Sequence, residues 1–259
     1  MLSTYQLSRE TKMKHKDQVV LVTGAGQGMG QAIVRHFADE GANVAAVDIN
    51  AEALMATVDE LNGWVSGNII AVTTNIAKSD SVRNAIEAVV EKFGRLDVII
   101  NCAGVGSIDT FIDTPDEAWD KVIGVNLKGT FLCCREAAKV MTEQGSGIII
   151  NVSSTAAMTG EGPSHYCASK AGVMGLTRSI SRELAASGIR VNTIIPGPTN
   201  TPMMADIPEE WTEQMIAAIP LGRMGESEDI AKVASFLACE DSGFITGQNI
   251  AVNGGMAFI

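Results

Sequence analysis

Seven short runs rich in β-branched residues, each divided from the next by a longer stretch with helical spacing, constrain this chain more than any other feature. The runs are QVVLVT (18–23), NVAAVD (43–48), NIIAVTT (68–74), LDVIIN (96–101), GIIINVS (147–153), IRVNTII (189–195) and QNIAVN (248–253). Their apolar character is nearly continuous, which predicts strands covered on both faces. Segments 30–41, 50–62, 80–94, 116–145, 166–188 and 227–240 carry apolar residues three and four apart and predict helices. Gly41, Gly94 and Gly188 mark helix ends, and Thr114-Pro115 opens the fourth helix. Strict strand–helix alternation implies right-handed crossovers, and so an α/β fold with a doubly wound, seven-stranded parallel sheet.

The 259 residues carry no internal repeat and no low-complexity linker, which predicts a single domain over 17–259 after a frayed or disordered tail at 1–16. The tract from about 197 to 225, rich in Pro, Met and Thr, is longer than a usual connection and is expected to be a substrate lid. A formal charge of -11 makes nucleic acid a poor partner, and no apolar run is long enough to cross a bilayer. Five cysteines without a C-x-x-C pair suit a reducing compartment, so a cytoplasmic location is expected. No metal site is expected.

Directly after the first run comes TGAGQGMG, which spaces Gly24, Gly28 and Gly30 as G-x-x-x-G-x-G between a strand and a helix. Glycines at such a turn let the backbone approach a pyrophosphate, whose charge meets the helix N-terminus. Asp48 closes the second run, where a carboxylate can accept hydrogen bonds from the adenosine ribose and repel a 2′-phosphate. Gln27 in the turn and Ile49 and Asn50 after Asp48 supply no cation for such a phosphate. The expected cofactor is NAD.

SHYCASKAG (164–172) sets Tyr166 and Lys170 one turn apart on a helix among small residues. A nearby ammonium favours the phenolate, and each pKa unit of depression corresponds to about 1.4 kcal/mol. Ser153 and Ser154, at the end of the fifth strand, can steady charge on a substrate oxygen. These residues together predict proton exchange with a hydroxyl.

TGAGQGMG, NCAG, VNL, NVSS, YCASK and PGPTNT, in this order and at these intervals, resemble the short-chain dehydrogenase/reductase family from Val19 to Gly255. The resemblance implies a Rossmann-like fold, with Tyr166 as general acid/base and Lys170 holding the nicotinamide ribose. Asn126 would hold a relay water. It implies one catalytic serine: spacing to the tyrosine favours Ser153, the strand-end pattern favours Ser154, and Ser154 is expected in that role. Further cofactor contacts would come from Gln27, Met29, Ile49, Asn75, Ile76, Asn101, Ala103, Gly104, Pro196, Gly197 and Thr201. Asn75 would meet the adenine amino group and Ile76 its ring. Cys102, where an asparagine is usual, implies the loss of a sheet-bracing amide.

The expected reaction is NAD-dependent hydride transfer between a secondary alcohol (polyol, sugar or other hydroxy compound) and its ketone. Reduction of a 3-oxoacyl thioester on a carrier protein is the alternative, and a non-catalytic NAD sensor a more distant one. Met203, Met204, Ile207, Trp211 and Met215 could form an apolar lid, while Glu161, Ser164 and His165 could meet a hydroxylated substrate. Family members usually form homotetramers, and the same is expected here.

Overall fold

The computed structural model describes residues 13–62, 65, 67–204 and 207–258. Seven parallel strands form one sheet: β1 (Val19–Thr23), β2 (Asn43–Asp48), β3 (Ile69–Thr73), β4 (Val98–Asn101), β5 (Gly147–Val152), β6 (Ile189–Pro196) and β7 (Asn249–Val252). Their order across the sheet is β3-β2-β1-β4-β5-β6-β7. The chain winds outward from β1 to β3, then returns to the other side of β1 and winds outward again. The reversal opens a crevice at the carboxyl ends of β1 and β4, where ligands of such sheets bind.

Alternation along each strand sends side chains to opposite faces. Val20, Val22, Val44 and Ala46 meet Ile33, Phe37, Leu54, Val58 and Ile230 on one face. That layer is built by α1 (Gly28–Asp39), α2 (Ala51–Asn62) and, following the last crossover, α8 (Ser227–Leu237). On the other face Val19, Leu21, Ala45 and Val47 meet Val82, Ile86, Leu132, Cys133 and Met141. α3 (Ser79–Phe93), α5 (Thr130–Gln144) and α6 (Ser164–Leu184) make this second layer. Each large aliphatic side chain buried in this way contributes about 1.5–3 kcal/mol.

The predicted single helix over 116–145 is α4 (Asp116–Ile123) and α5 joined by a π-helical turn, Gly124–Gly129. Pro115 sits at its N-cap. The irregular tract after β6 contains its own helix, α7 (Glu209–Ala217), and Thr199–Asn200 pairs in parallel with Gly225–Glu226.

The expectation of a frayed tail fails at its last residues. His15 is fully buried: Nδ1 meets Gln18 Oε1 at 2.7 Å, and Nε2 meets Ser235 Oγ at 2.9 Å and Glu40 Oε2 at 3.1 Å. Its ring also stacks at 4.5 Å from Phe37. An imidazole with these partners ties residues 13–18 to α1 and α8; residues 1–12 lie outside the described residues. Among the described residues no helix is long and apolar enough to cross a membrane.

Candidate active site

The glycine turn is shaped by contacts that leave no space for a side chain. Gly24, at φ +71°, would place a Cβ 2.8 Å from Ala103 Cα, and a Cβ on Gly30 would overlap the Gly24 carbonyl. Strand ends β1 and β4 are therefore drawn together by the absence of side chains. Thr23, which the sequence reading passed over, adds to this: its Oγ1 accepts from the N–H groups of both Cys102 and Ala103 at 3.1 Å. Gln27 is the N-cap residue of α1, and Met29 packs against the core.

Asp48 turns back toward this loop. Its Oδ2 accepts from Gly26 N–H at 3.0 Å and its Oδ1 from Asn50 N–H at 2.9 Å. A carboxylate fixed by two backbone donors beside a glycine cradle suits a ribose diol, and a tight glycine turn leading into the N-terminus of α1 suits a pyrophosphate. Ile49 stands exposed after it. The residues present fit a dinucleotide.

Two residues expected at the adenine have contacts within the protein as well. Asn75 Oδ1 accepts from Ala77 N–H at 3.0 Å, closing a local turn. Ile76 is 8% exposed and packs into the core among Leu21, Val47 and Val82. A Cβ on Gly129 would come within 2.9 Å of Ile76 Cδ1, so the side chain points at the π-turn rather than outward over a ring.

The sheet-bracing amide thought lost at Cys102 is supplied by its neighbour. Asn101 Nδ2 donates to Asn151 Oδ1 at 2.8 Å, and Asn151 Nδ2 donates to Thr177 Oγ1 at 2.8 Å. Thr193 Oγ1 donates to Thr177 Oγ1 at 2.7 Å, so the network spans β4, β5, β6 and α6. Such buried networks favour one strand arrangement to the extent that their members are paired, and here Asn101 Oδ1 alone of these side-chain atoms has no partner among the described residues. Asn101 is thus a brace inside the sheet, and Ala103 and Gly104 form the cleft wall.

At the carboxyl end of β5 the two serines part. Ser153 is buried and donates to the Lys170 carbonyl at 2.8 Å, whereas Ser154 faces the Tyr166 phenol. Ser154 Oγ also accepts from Ala156 N–H at 3.2 Å, which fixes its rotamer. Lys170 Nζ donates to Val152 O at 2.9 Å and lies 5.9 Å from the Tyr166 ring centroid. It also borders Gly104, where a Cβ would come within 3.2 Å of Nζ and 3.4 Å of Asn126 Oδ1.

Charges here behave differently from the sequence expectation. Burial pushes the Tyr166 phenol up, with the Ser154 hydrogen bond opposing it. Burial also pulls the Lys170 ammonium down to about 8. Desolvation penalises the charged form of each group. In the protein on its own, burial therefore governs the phenol, and the Ser154 hydroxyl opposes it.

Asn126 is fully buried within the π-turn. Its Oδ1 accepts from Val105 N–H at 2.8 Å, while Nδ2 donates to Val105 O at 2.9 Å and to Ser169 Oγ at 3.0 Å. The amide clamps the chain leaving β4 to α6. Thr130 Oγ1 takes the Asn126 carbonyl at 2.7 Å, satisfying an acceptor within the altered helix. π-turns of this kind are frequent at functional sites.

Pro196 O accepts from both N–H and Oγ1 of Thr155 at 2.9 Å, joining the ends of β5 and β6. Gly197 follows, with its Cβ position filled by Asn253. Thr201 approaches the glycine turn: a Cβ on Gly28 would meet Thr201 Cβ at 3.4 Å. The predicted cofactor stretch and the start of the lid tract thus share one wall.

His165, considered for substrate contact, is fully buried, and its Nε2 meets Ser107 Oγ at 2.7 Å. Trp119 flanks it at 6.5 Å. His165 Nδ1 and Ser164 Oγ have no partner among the described residues. The imidazole fastens the loop after β4 to the helix carrying Tyr166, and Glu161 is exposed to solvent.

The parallel sheet, glycine cradle and Ser154–Tyr166–Lys170 group define a dinucleotide-dependent oxidoreductase class, and comparison with known proteins agrees. Residues 24–257 match the family model described as "Enoyl-(Acyl carrier protein) reductase". The chain is 41% identical over 245 residues to the 3-oxoacyl-[acyl-carrier-protein] reductase FabG of Thermotoga maritima, covering 94% of this chain and 99% of that one. It is also 41% identical over 255 residues to the (3R)-3-hydroxyacyl-CoA dehydrogenase of Mus musculus, with 95% and 98% coverage. A solved short-chain type dehydrogenase/reductase from Mycobacterium marinum superimposes with a TM-score of 0.91 at 31% identity, covering 96% and 99% of the two chains.

The chain belongs to the short-chain dehydrogenase/reductase family. It is an oxidoreductase of hydroxyl and keto groups that binds a nicotinamide dinucleotide.

Proposed function

We propose that the chain interconverts a secondary alcohol and its ketone with NAD(H), using Tyr166 as general acid/base. The observation that carries this reading is the gathering of Ser154, Tyr166 and Lys170 beside the glycine cradle at the carboxyl edge of the sheet. A bound nicotinamide supplies the hydride acceptor or donor. Gly24, Gly28 and Gly30 hold the pyrophosphate, and Asp48 takes the ribose hydroxyls and disfavours a 2′-phosphate. Pro196, Gly197 and Thr201 line the nicotinamide side, while Ala103 and Gly104 form the wall across from them. The same reading keeps the expectation of a cytoplasmic homotetramer.

Ser154 donates a hydrogen bond to the substrate oxygen and orients it toward Tyr166. The phenol gives its proton to that oxygen in ketone reduction and recovers it in alcohol oxidation. Reduction uses the protonated phenol and oxidation the phenolate, so ketone reduction operates at lower pH than alcohol oxidation. Lys170 holds the nicotinamide ribose and, with Asn126, leads the proton toward solvent.

Tyr166→Phe tests the assignment. Turnover falls by about 10² to 10⁴ while NADH binding, followed by its fluorescence, stays within threefold of the parent. Retained activity would remove Tyr166 from the reaction.

A second reading draws on the full-length relatives whose names specify 3-oxoacyl and 3-hydroxyacyl thioesters. In it the same residues act on the 3-position of an acyl thioester. The two readings share their chemistry and differ in what the cleft mouth must admit.

A further inference from the structure

Three segments surround the cleft at the carboxyl edge of the sheet: the loop between β4 and α4, the turn between β5 and α6, and the tract between β6 and α8. The first comes close to the reacting group, since a Cβ on Gly106 would lie 3.8 Å from Tyr166 Cδ2. It exposes Ile108 (96%), Phe111 (80%) and Ile112 (91%). The β6–α8 tract, whose Thr201 lies against Gly28 of the glycine turn, exposes Met203, Trp211 and Leu221. Apolar groups concentrated around one opening, and not scattered singly, mark a binding surface.

The charges on the same segments are strongly one-sided. Asp113, Asp116, Glu117 and Asp120 are exposed along the first loop and α4, Glu161 on the turn, and Glu209, Glu210 and Glu213 on α7. Lys121 and Arg223 are the cations in these segments, and Arg223 Nη1 is held by Asp229 Oδ2 at 2.7 Å. A phosphorylated carrier or an acidic carrier protein would bring its anions against this rim with little to pair them. Like-charge juxtaposition slows encounter and weakens binding, and specificity is often obtained through such repulsion. An uncharged substrate is indifferent to the field and gains from the apolar groups.

We propose that this rim selects an uncharged, largely apolar alcohol or ketone and rejects the same reacting group carried on a polyanion. The inference rests on the NAD-linked, Tyr166-dependent reading above and names the substrate class for that site.

The test compares kcat/KM for two thioesters of one 3-oxobutanoyl group, on coenzyme A and on N-acetylcysteamine, with NADH as reductant. The uncharged N-acetylcysteamine ester is favoured by about tenfold or more at low ionic strength. The gap closes as salt rises from about 10 mM to about 300 mM, because the screening length shrinks from about 30 Å to below about 8 Å. Combining Asp113→Asn, Glu161→Gln and Glu210→Gln raises kcat/KM for the coenzyme A ester by roughly threefold or more at low salt. The corresponding triple lysine variant raises it further, and the neutral set serves if the lysine set folds poorly. Equal or better use of the coenzyme A ester at low salt, or a gap insensitive to both salt and rim charge, overturns the proposal. If neither thioester nor the uncharged apolar ketone 4-phenyl-2-butanone oxidises NADH, the failure lies with the underlying oxidoreductase reading instead.

Discussion

The adenosine side of the cleft and its substrate mouth are built on different principles. On the adenosine side the backbone does the shaping: Gly24 and Gly30 have contact where a Cβ would stand, and Asp48 is held by two main-chain N–H groups. At the mouth the shaping falls to side chains on long connections, where Ile108, Phe111, Ile112 and Trp211 stand in solvent above an acidic rim. A cradle made of backbone tolerates almost no substitution. A mouth made of exposed side chains can change its selectivity with little effect on the fold, because surface changes away from special contacts cost within about 0.5 kcal/mol.

The largest effect is expected at Gly30. Gly30→Ala puts a methyl group onto the Gly24 carbonyl, and NADH affinity should fall by at least about a hundredfold, near 2.7 kcal/mol. Fluorescence titration finding affinity within threefold of the parent would show that the backbone cradle is not what holds the cofactor.

Asp48→Ala has an intermediate effect. It removes the carboxylate while leaving the glycine turn in place, so the ratio of kcat/KM with NADH to that with NADPH should drop by about tenfold. An unchanged ratio would separate Asp48 from ribose recognition.

The smallest effect belongs to the mouth. His165→Ala loses the hydrogen bond that ties Ser107 to α6, worth about 1 kcal/mol net. KM should rise about threefold to tenfold with kcat within twofold, and His165→Gln should recover part of the loss. A fall in kcat with KM unchanged would make His165 part of the chemistry and not a positioning residue for the loop.

Much of the adenosine side was legible because its determinants are local. TGAGQGMG specifies a turn that only glycines can make, and Asp48 is found by following one strand to its end. Tyr166 and Lys170 were legible for a similar reason, since helical periodicity fixes their shared face. The division of labour between Ser153 and Ser154 was not, because it depends on which hydroxyl reaches Lys170 O across 17 positions of sequence. The same holds for Asn101, whose partner Asn151 lies on a neighbouring strand, and for Ile76, whose direction is set by packing on Gly129. His15 looked like part of a tail because its partners, Glu40 and Ser235, are remote in sequence.

Taken alone, the order and spacing of residues determined a parallel α/β sheet, the tight glycine turn, the carboxylate beside it and the tyrosine–lysine pair. These features follow from periodicity and backbone sterics, which act over a few residues. Tertiary structure decided the burial of that pair, the hydrogen-bond partners of the two serines and Asn126, and the apolar, acidic character of the mouth. Desolvation and long-range hydrogen bonding exist only once distant segments have packed together, and so these properties belong to the assembled molecule.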